Sequence, residues 1–267
     1  MTGAEFDRHC EDVKTEGYTV LPAAMTSEEC DAATVELERL VEESNRGGLE
    51  CVFNKARVFE RAYQIPSVLR LVRHFLGGDA VLCAVHGSVI EPGQGGGGLH
   101  ADGEVTGHLR SRSQAAADEG RRITSHAMSI NTIFCVGEFT ATNGATRLVP
   151  GSHKVESIEI PENAAEQARI VEAERGSAIL FHANIWHGSS RNRSSKRRYA
   201  MIAPWRRNWS RGPYELCRMV EPEVLERAGA EGRRVFGFDA LQPYLENWQW
   251  DRQTGGPKPE FGELRRD

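Results

Sequence analysis

The stretch GSAILFHANIWHGSSRNRSSKRRYA, residues 176–200, carries the reading on which the fold turns. It opens with a short apolar run, Ser177–Phe181, passes through His182 and His187, and crosses a basic cluster into a second apolar run, Tyr199–Pro204. Runs of four to eight apolar residues bounded by glycine, serine and asparagine read as strands. The same texture extends upstream, with strands expected over Ala80–Ile90, Asn131–Val136 and Thr146–Val149. Pro92-Gly93, Asn143-Gly144 and Pro150-Gly151 punctuate them as turns. Many short strands of this kind predict a sandwich or barrel.

Before residue 80 the periodicity is helical. Helices are expected over Glu5–Glu16, from Thr26 through Glu43 and over Pro66–Phe75, with a strand-like segment at Tyr18–Pro22. Thr26 precedes Glu29 by the three residues of a capping box, and Gly77-Gly78 supplies a helix stop. The expectation is one domain of 267 residues. It has a helical buttress over about 1–79, a mainly β core over about 80–205 and a C-terminal extension over about 206–267.

The chemistry centres on His100-Ala101-Asp102. On an extended chain, residues two apart share a face, so this imidazole and carboxylate can converge on one metal. A histidine from a distant strand would complete a two-His-one-carboxylate triad, which leaves positions open for a cosubstrate and O2 and favours iron(II). The downstream candidates are His108, His126, His153, His182 and His187. His182 and His187 lie an odd number of residues apart, so an unbroken strand would turn them to opposite faces. His187, at the strand end beside Gly188, is the better placed, leaving His182 as a packed histidine. Of the basic residues that follow, Arg198 opens the next apolar strand and is best placed to point inward, where a guanidinium can grip a carboxylate bidentately.

Composition narrows the function classes. A formal net charge of -5 gives no global attraction to nucleic acid or an anionic membrane, and no apolar run approaches the roughly 20 residues of a membrane span. The charged N-terminus has no signal-peptide core, and the six scattered cysteines contain no CxxC pair, which points to reduced thiols and a cytoplasmic setting. Gly93–Gly98 lacks the Gly-Lys-Ser/Thr ending of a phosphate loop. Gly103–Ser129 reads as a long loop that carries Arg110 and Arg112, a candidate lid over an anionic small-molecule substrate, with Arg61 contributing from the helical side.

Taken in order, EGYTVLP with the SEEC helix start, His100-Ala101-Asp102, the NGAT…VPGSHK segment and HGS…N…R resemble the phytanoyl-CoA dioxygenase (PhyH) family, from about Glu5 to Pro204. The resemblance implies a double-stranded β-helix (a cupin-like jelly roll) and an iron(II)/2-oxoglutarate-dependent oxygenase. It implies His100, Asp102 and His187 as metal ligands. Arg198 would hold the far carboxylate of 2-oxoglutarate, assisted by Ser189, with Thr132 and Asn54 as further contacts. The implied reaction is O2-dependent hydroxylation of an unactivated C–H bond. The retained Asp102 sets the chain apart from related halogenases, which lack that carboxylate. The alternatives are an acyl-CoA hydroxylase, a zinc hydrolase or a cupin-like binding protein without turnover.

Overall fold

Two reciprocal capping boxes open the first two helices of the computed structural model, which describes residues 1–103, 121–210, 212–238, 250–251, 253 and 256–257. In α1 (Gly3–Thr15) Thr2 and Glu5 exchange side-chain and backbone hydrogen bonds, and in α2 (Ser27–Ser44) Thr26 and Glu29 do the same. Each box satisfies two donors that a bare helix start leaves unpaired. On α2 the buried residues Cys30, Ala33, Leu37, Leu40 and Val41 recur at three- and four-residue spacing and form one apolar stripe. α3 (Pro66–Leu76) starts on proline at its first turn and stops at Gly77, whose φ of 109° suits glycine.

These helices cover one face of an antiparallel sheet. Its strands are β1 (Tyr18–Leu21), β2 (Gly48–Leu49), β3 (Val81–Leu82), β4 (His86–Ile90), β5 (Ser129–Phe134), β8 (Ala178–His182) and β10 (Arg198–Arg206). The order is β1-β8-β5-β10-β4-β2, with β3 also pairing β10. A smaller sheet, β7-β6-β9, is built from β6 (Thr146–Leu148), β7 (Arg169–Ile170) and β9 (His187–Ser189). Two opposed antiparallel sheets with a shared interior are the expected jelly-roll architecture.

The pleat divides the apolar residues between two cores. Ile130, Phe134, Ala178, Leu180, Met201, Ala203 and Trp205 turn toward the helices. Their neighbours Ile133, Ile179, Phe181 and Ala200 turn inward, onto Phe139 and Leu148. Both faces of β5 are therefore covered and all six of its residues are buried, which is why its apolar residues show no regular alternation. Leu37 and Leu71, both fully buried, each contribute on the order of 1.5–3 kcal/mol by burial.

Several boundaries differ from expectation. β1 falls on the strand-like segment expected at Tyr18–Pro22 and joins the main sheet, and so does β2, where no strand was expected. Ala80–Ile90 is two strands, β3 and β4, with a break between them. His182 and His187 lie on two strands in two different sheets, so the odd-spacing argument does not apply to them; the chain turns between β8 and β9. In the C-terminal part, α4 (Leu216–Met219) and α5 (Pro222–Val235) return to the helical side, where Arg227 meets the buried Glu60 at 2.5 Å. All six cysteines are free thiols, and among the described residues no helix is long and apolar enough to cross a membrane.

Candidate active site

His187 opens β9, and the chain at His100 runs antiparallel beside it. His100 N–H donates to the His187 carbonyl at 2.9 Å, and His187 N–H donates back at 2.8 Å. This direct pairing puts both imidazoles on one face with ring centroids 4.3 Å apart. Two residues on, Asp102 N–H donates to Ala183 O at 2.9 Å, which turns the carboxylate toward the rings. Asp102 Oδ1 lies 3.7 Å from His100 Nε2, and Oδ2 lies 3.5 Å from His187 Nε2. One donor atom from each of the three falls within 4.8 Å of the others. A divalent cation with metal–ligand distances of roughly 2.0–2.2 Å would draw them together by a small contraction.

The surroundings favour coordination through Nε2 of His187. Its Nδ1 lies 2.9 Å from Ile185 O, and a carbonyl can only accept, so Nδ1 carries the proton and Nε2 keeps a free lone pair. Phe181 packs on the same ring at 4.8 Å. His187 is buried, Asp102 half-buried and His100 exposed, so the cluster opens on one side, as a catalytic site requires and a closed structural site does not.

Arg198 is the second unusual feature. It is 5% exposed, and among the described residues no carboxylate pairs with it; its Nε has no hydrogen-bond partner. The ring of Phe139 stacks against it, at 4.7 Å. Burial lowers its pKa to about 10, which still leaves it charged at neutral pH. A buried cation without a counter-ion is costly unless an anion enters. Arg198 alternates with the helix-facing Tyr199 and Met201 and so projects into the inner core with Ala200. Ser189 lies two residues beyond His187 on the same strand and the same face.

Three expected contacts stand elsewhere. Thr132 pairs with Leu180 and Ala203, both on the helix-facing side, so the pleat turns it away from the inner core. The residue that β5 offers to the site is its neighbour Asn131, whose amide donates to Asp102 Oδ2. Asn54 is engaged with the C-terminal helices: its amide donates to Met219 O at 2.6 Å and its oxygen accepts from Glu221 N–H at 3.1 Å. Arg61 is held by Glu29 at 2.6 Å on the helical side. Arg110 and Arg112 lie outside the described residues.

Sequence reasoning also passed over His86, on β4 opposite the inward Ile202. Burial lowers its pKa, against the opposing pull of Glu50 and Asp102, and Tyr214 lies 5.8 Å from its ring. Nothing in the local pattern singles out His86. Asn131 had a weak signal, as the lone amide in an apolar strand. Arg122, which flanks the long loop, is structural: its guanidinium donates to the carbonyls of Ser152, Val155 and Asn184. His182 accepts from Asn184 N–H through Nδ1, and His153 lies 5.3 Å from its ring. Burial, reinforced by His153 and Arg122, lowers the His182 pKa to about 3.

The family model described as phytanoyl-CoA dioxygenase (PhyH) matches residues 13–200, a span that includes all three candidate ligands and Arg198. The chain belongs to the phytanoyl-CoA dioxygenase family. Membership carries the enzyme class with it, an iron(II)- and 2-oxoglutarate-dependent oxygenase, and the donor set present suits that metal. An uncharacterised Mycobacterium tuberculosis protein is 26% identical over 203 residues, covering 75% of this chain and 70% of its own length. Dioxygenase trt7 of Aspergillus terreus is 34% identical over 180 residues, 66% of this chain and 56% of its own. Among solved structures, HygX from Streptomyces hygroscopicus, with nickel and 2-oxoglutarate bound, superposes with a TM-score of 0.62 at 18% identity, covering 78% of this chain and 88% of HygX. The α-ketoglutarate-dependent epimerase SnoN from nogalamycin biosynthesis gives 0.60 at 14% identity over 78% of this chain and 82% of its own, a likeness of fold.

Proposed function

We propose that this dioxygenase hydroxylates an unactivated C–H bond of a small anionic metabolite or natural-product intermediate. His100, Asp102 and His187 would hold iron(II), and Arg198 would bind the far carboxylate of 2-oxoglutarate. The observation that carries the reading is the pairing of an open His-Asp-His cluster with a buried, unpaired guanidinium projecting into the same inner core. When bound, iron and 2-oxoglutarate supply the O2-dependent oxidising chemistry.

The chain's own groups set the geometry. The Nδ1–H of His187, donating to Ile185 O, keeps Nε2 available to the metal. Asn131 holds one oxygen of Asp102 and so fixes which lone pairs face the cluster. Arg198 matches a terminal carboxylate in charge and in its two-pronged shape, and the anion relieves the penalty of its burial. Ser189, on the face of β9 shared with His187, adds a hydroxyl donor to the same carboxylate. As a ligand, Asp102 would take the place that a halide would need, which favours hydroxylation over halogenation. SnoN, an epimerase of nogalamycin biosynthesis whose structure holds nogalamycin RO, supports a natural-product-sized substrate. Arg110 and Arg112 are the proposed partners of the substrate's anionic group.

Anaerobic addition of Fe(II) and 2-oxoglutarate tests the site through the visible metal-to-ligand charge-transfer band. The expected result is a band in wild type that is absent in His187→Ala and needs more 2-oxoglutarate in Arg198→Ala. A folded, iron-loaded wild type with no band would overturn the assignment. Substrate turnover is then read by mass spectrometry as a gain of one oxygen atom.

A further inference from the structure

We propose that a second, positively charged pocket on the outer face of the small sheet binds a small molecule bearing a phosphate or carboxylate group, separately from the iron site. The pocket is a cavity of about 410 Å³ on which Arg147, Arg191 and Arg193 converge. Its position follows from the pleat. Leu148 points into the inner core, so its neighbour Arg147 on β6 points outward. Arg147 pairs in register with Gly188, so the pocket lies on the reverse side of the strand that begins with His187.

Its charge is not balanced from within the cavity. Arg39, Arg61, Arg73, Arg175, Arg197 and Arg227 each meet a carboxylate. Among the described residues Arg147, Arg191 and Arg193 meet none, and no acidic residue lines the cavity. The chain has 38 acidic against 33 basic residues, so a shortage of counter-ions does not explain this. Three like charges around one cavity repel one another, and an anion placed between them removes that cost.

Part of the site is already oriented. Arg147 Nη2 donates to Gly97 O at 2.6 Å, while its Nε is buried without a hydrogen-bond partner. A buried donor left unpaired costs free energy that an entering acceptor recovers. The chain closes around this face through Gly95 and Gly96, both at positive φ; a Cβ on Gly95 would lie 2.4 Å from Ser190 O. Guanidinium forks match the geometry of carboxylate and phosphate oxygens. Ala168 and the exposed Ile170 line the rest, which suits a short hydrocarbon body attached to the charged group.

The test is isothermal titration of the metal-free protein at low salt with two probes, inorganic pyrophosphate and citrate. One saturable site is expected, with affinity falling about tenfold or more for each guanidinium that contributes a charge-assisted hydrogen bond. The variants are Arg147→Gln and the exposed pair Arg191→Gln/Arg193→Gln, which leaves the core untouched. Arg198→Met is the control: binding that survives it is distinct from the proposed cosubstrate site, so failure of one reading is not failure of the other. The tighter probe identifies whether phosphate or carboxylate is the natural group. No saturable binding by wild type, binding unaltered in both arginine variants, or binding lost only in Arg198→Met would each overturn the proposal. So would capture of polyglutamate with neither small probe bound, since that would mark a protein-docking face.

Discussion

Replacing Arg198 with methionine should make the metal-free protein more stable while weakening the binding of 2-oxoglutarate. The guanidinium is 5% exposed and unpaired, and burial holds its pKa at about 10, below its ordinary value. The unfolded chain therefore binds this proton more tightly than the fold does, so the charge opposes folding at every pH below about 10. The depression corresponds to a penalty on the order of 3 kcal/mol. Methionine keeps much of the side-chain bulk against Phe139 and carries no charge, so a net gain of roughly 1–3 kcal/mol is expected in urea unfolding with chelator present. Binding should move the other way. Two charge-assisted hydrogen bonds of about 1.5–3 kcal/mol each are lost, weakening 2-oxoglutarate roughly a hundredfold or more in calorimetry. Arg198→Lys keeps the charge without the fork and should fall between. The reasoning is refuted if Arg198→Met lowers apoprotein stability by more than about 1 kcal/mol while 2-oxoglutarate binds as in wild type.

Removing the Asn131 amide with Asn131→Ala should weaken metal binding about 10- to 100-fold, read by Co(II) titration, since the Asp102 carboxylate loses its orienting donor. Asn54→Ala should cost roughly 1–2 kcal/mol of stability by freeing Met219 O and Glu221 N–H, with 2-oxoglutarate affinity unchanged; a large affinity loss would restore Asn54 to the site. His182, with its pKa lowered to about 3 in the fold, takes up its proton on unfolding at pH values between there and its ordinary value near 6.5. Stability should therefore fall as pH drops through that window, by up to about 1.4 kcal/mol per pH unit from this residue, and His182→Asn should flatten the slope in pH-dependent urea unfolding.

Much of the helical architecture was legible because its determinants are local. A capping box needs only Thr26 and Glu29, and a helix stop needs only Gly77. The candidate ligands were legible for a related reason: His100 and Asp102 are two residues apart, and His187 stands at a strand end marked by glycine. Sequence could not decide which way β5 faces. Both of its sides are buried, so the apolar pattern has no period, and only pairing with β8 and β10 turns Asn131 inward and Thr132 outward. The same limit applied to Asn54 and Arg61, whose partners come from remote parts of the chain. By itself the sequence determined the candidate donor set, the caps and stops of the front helices and the mainly β character of the core, all set by neighbours along the chain. Only the tertiary structure decided which side chains share an interior, which arginines find a carboxylate and which, like Arg198 and Arg147, are left waiting for an anion; those depend on strand register and burial, which arise only when distant segments pack.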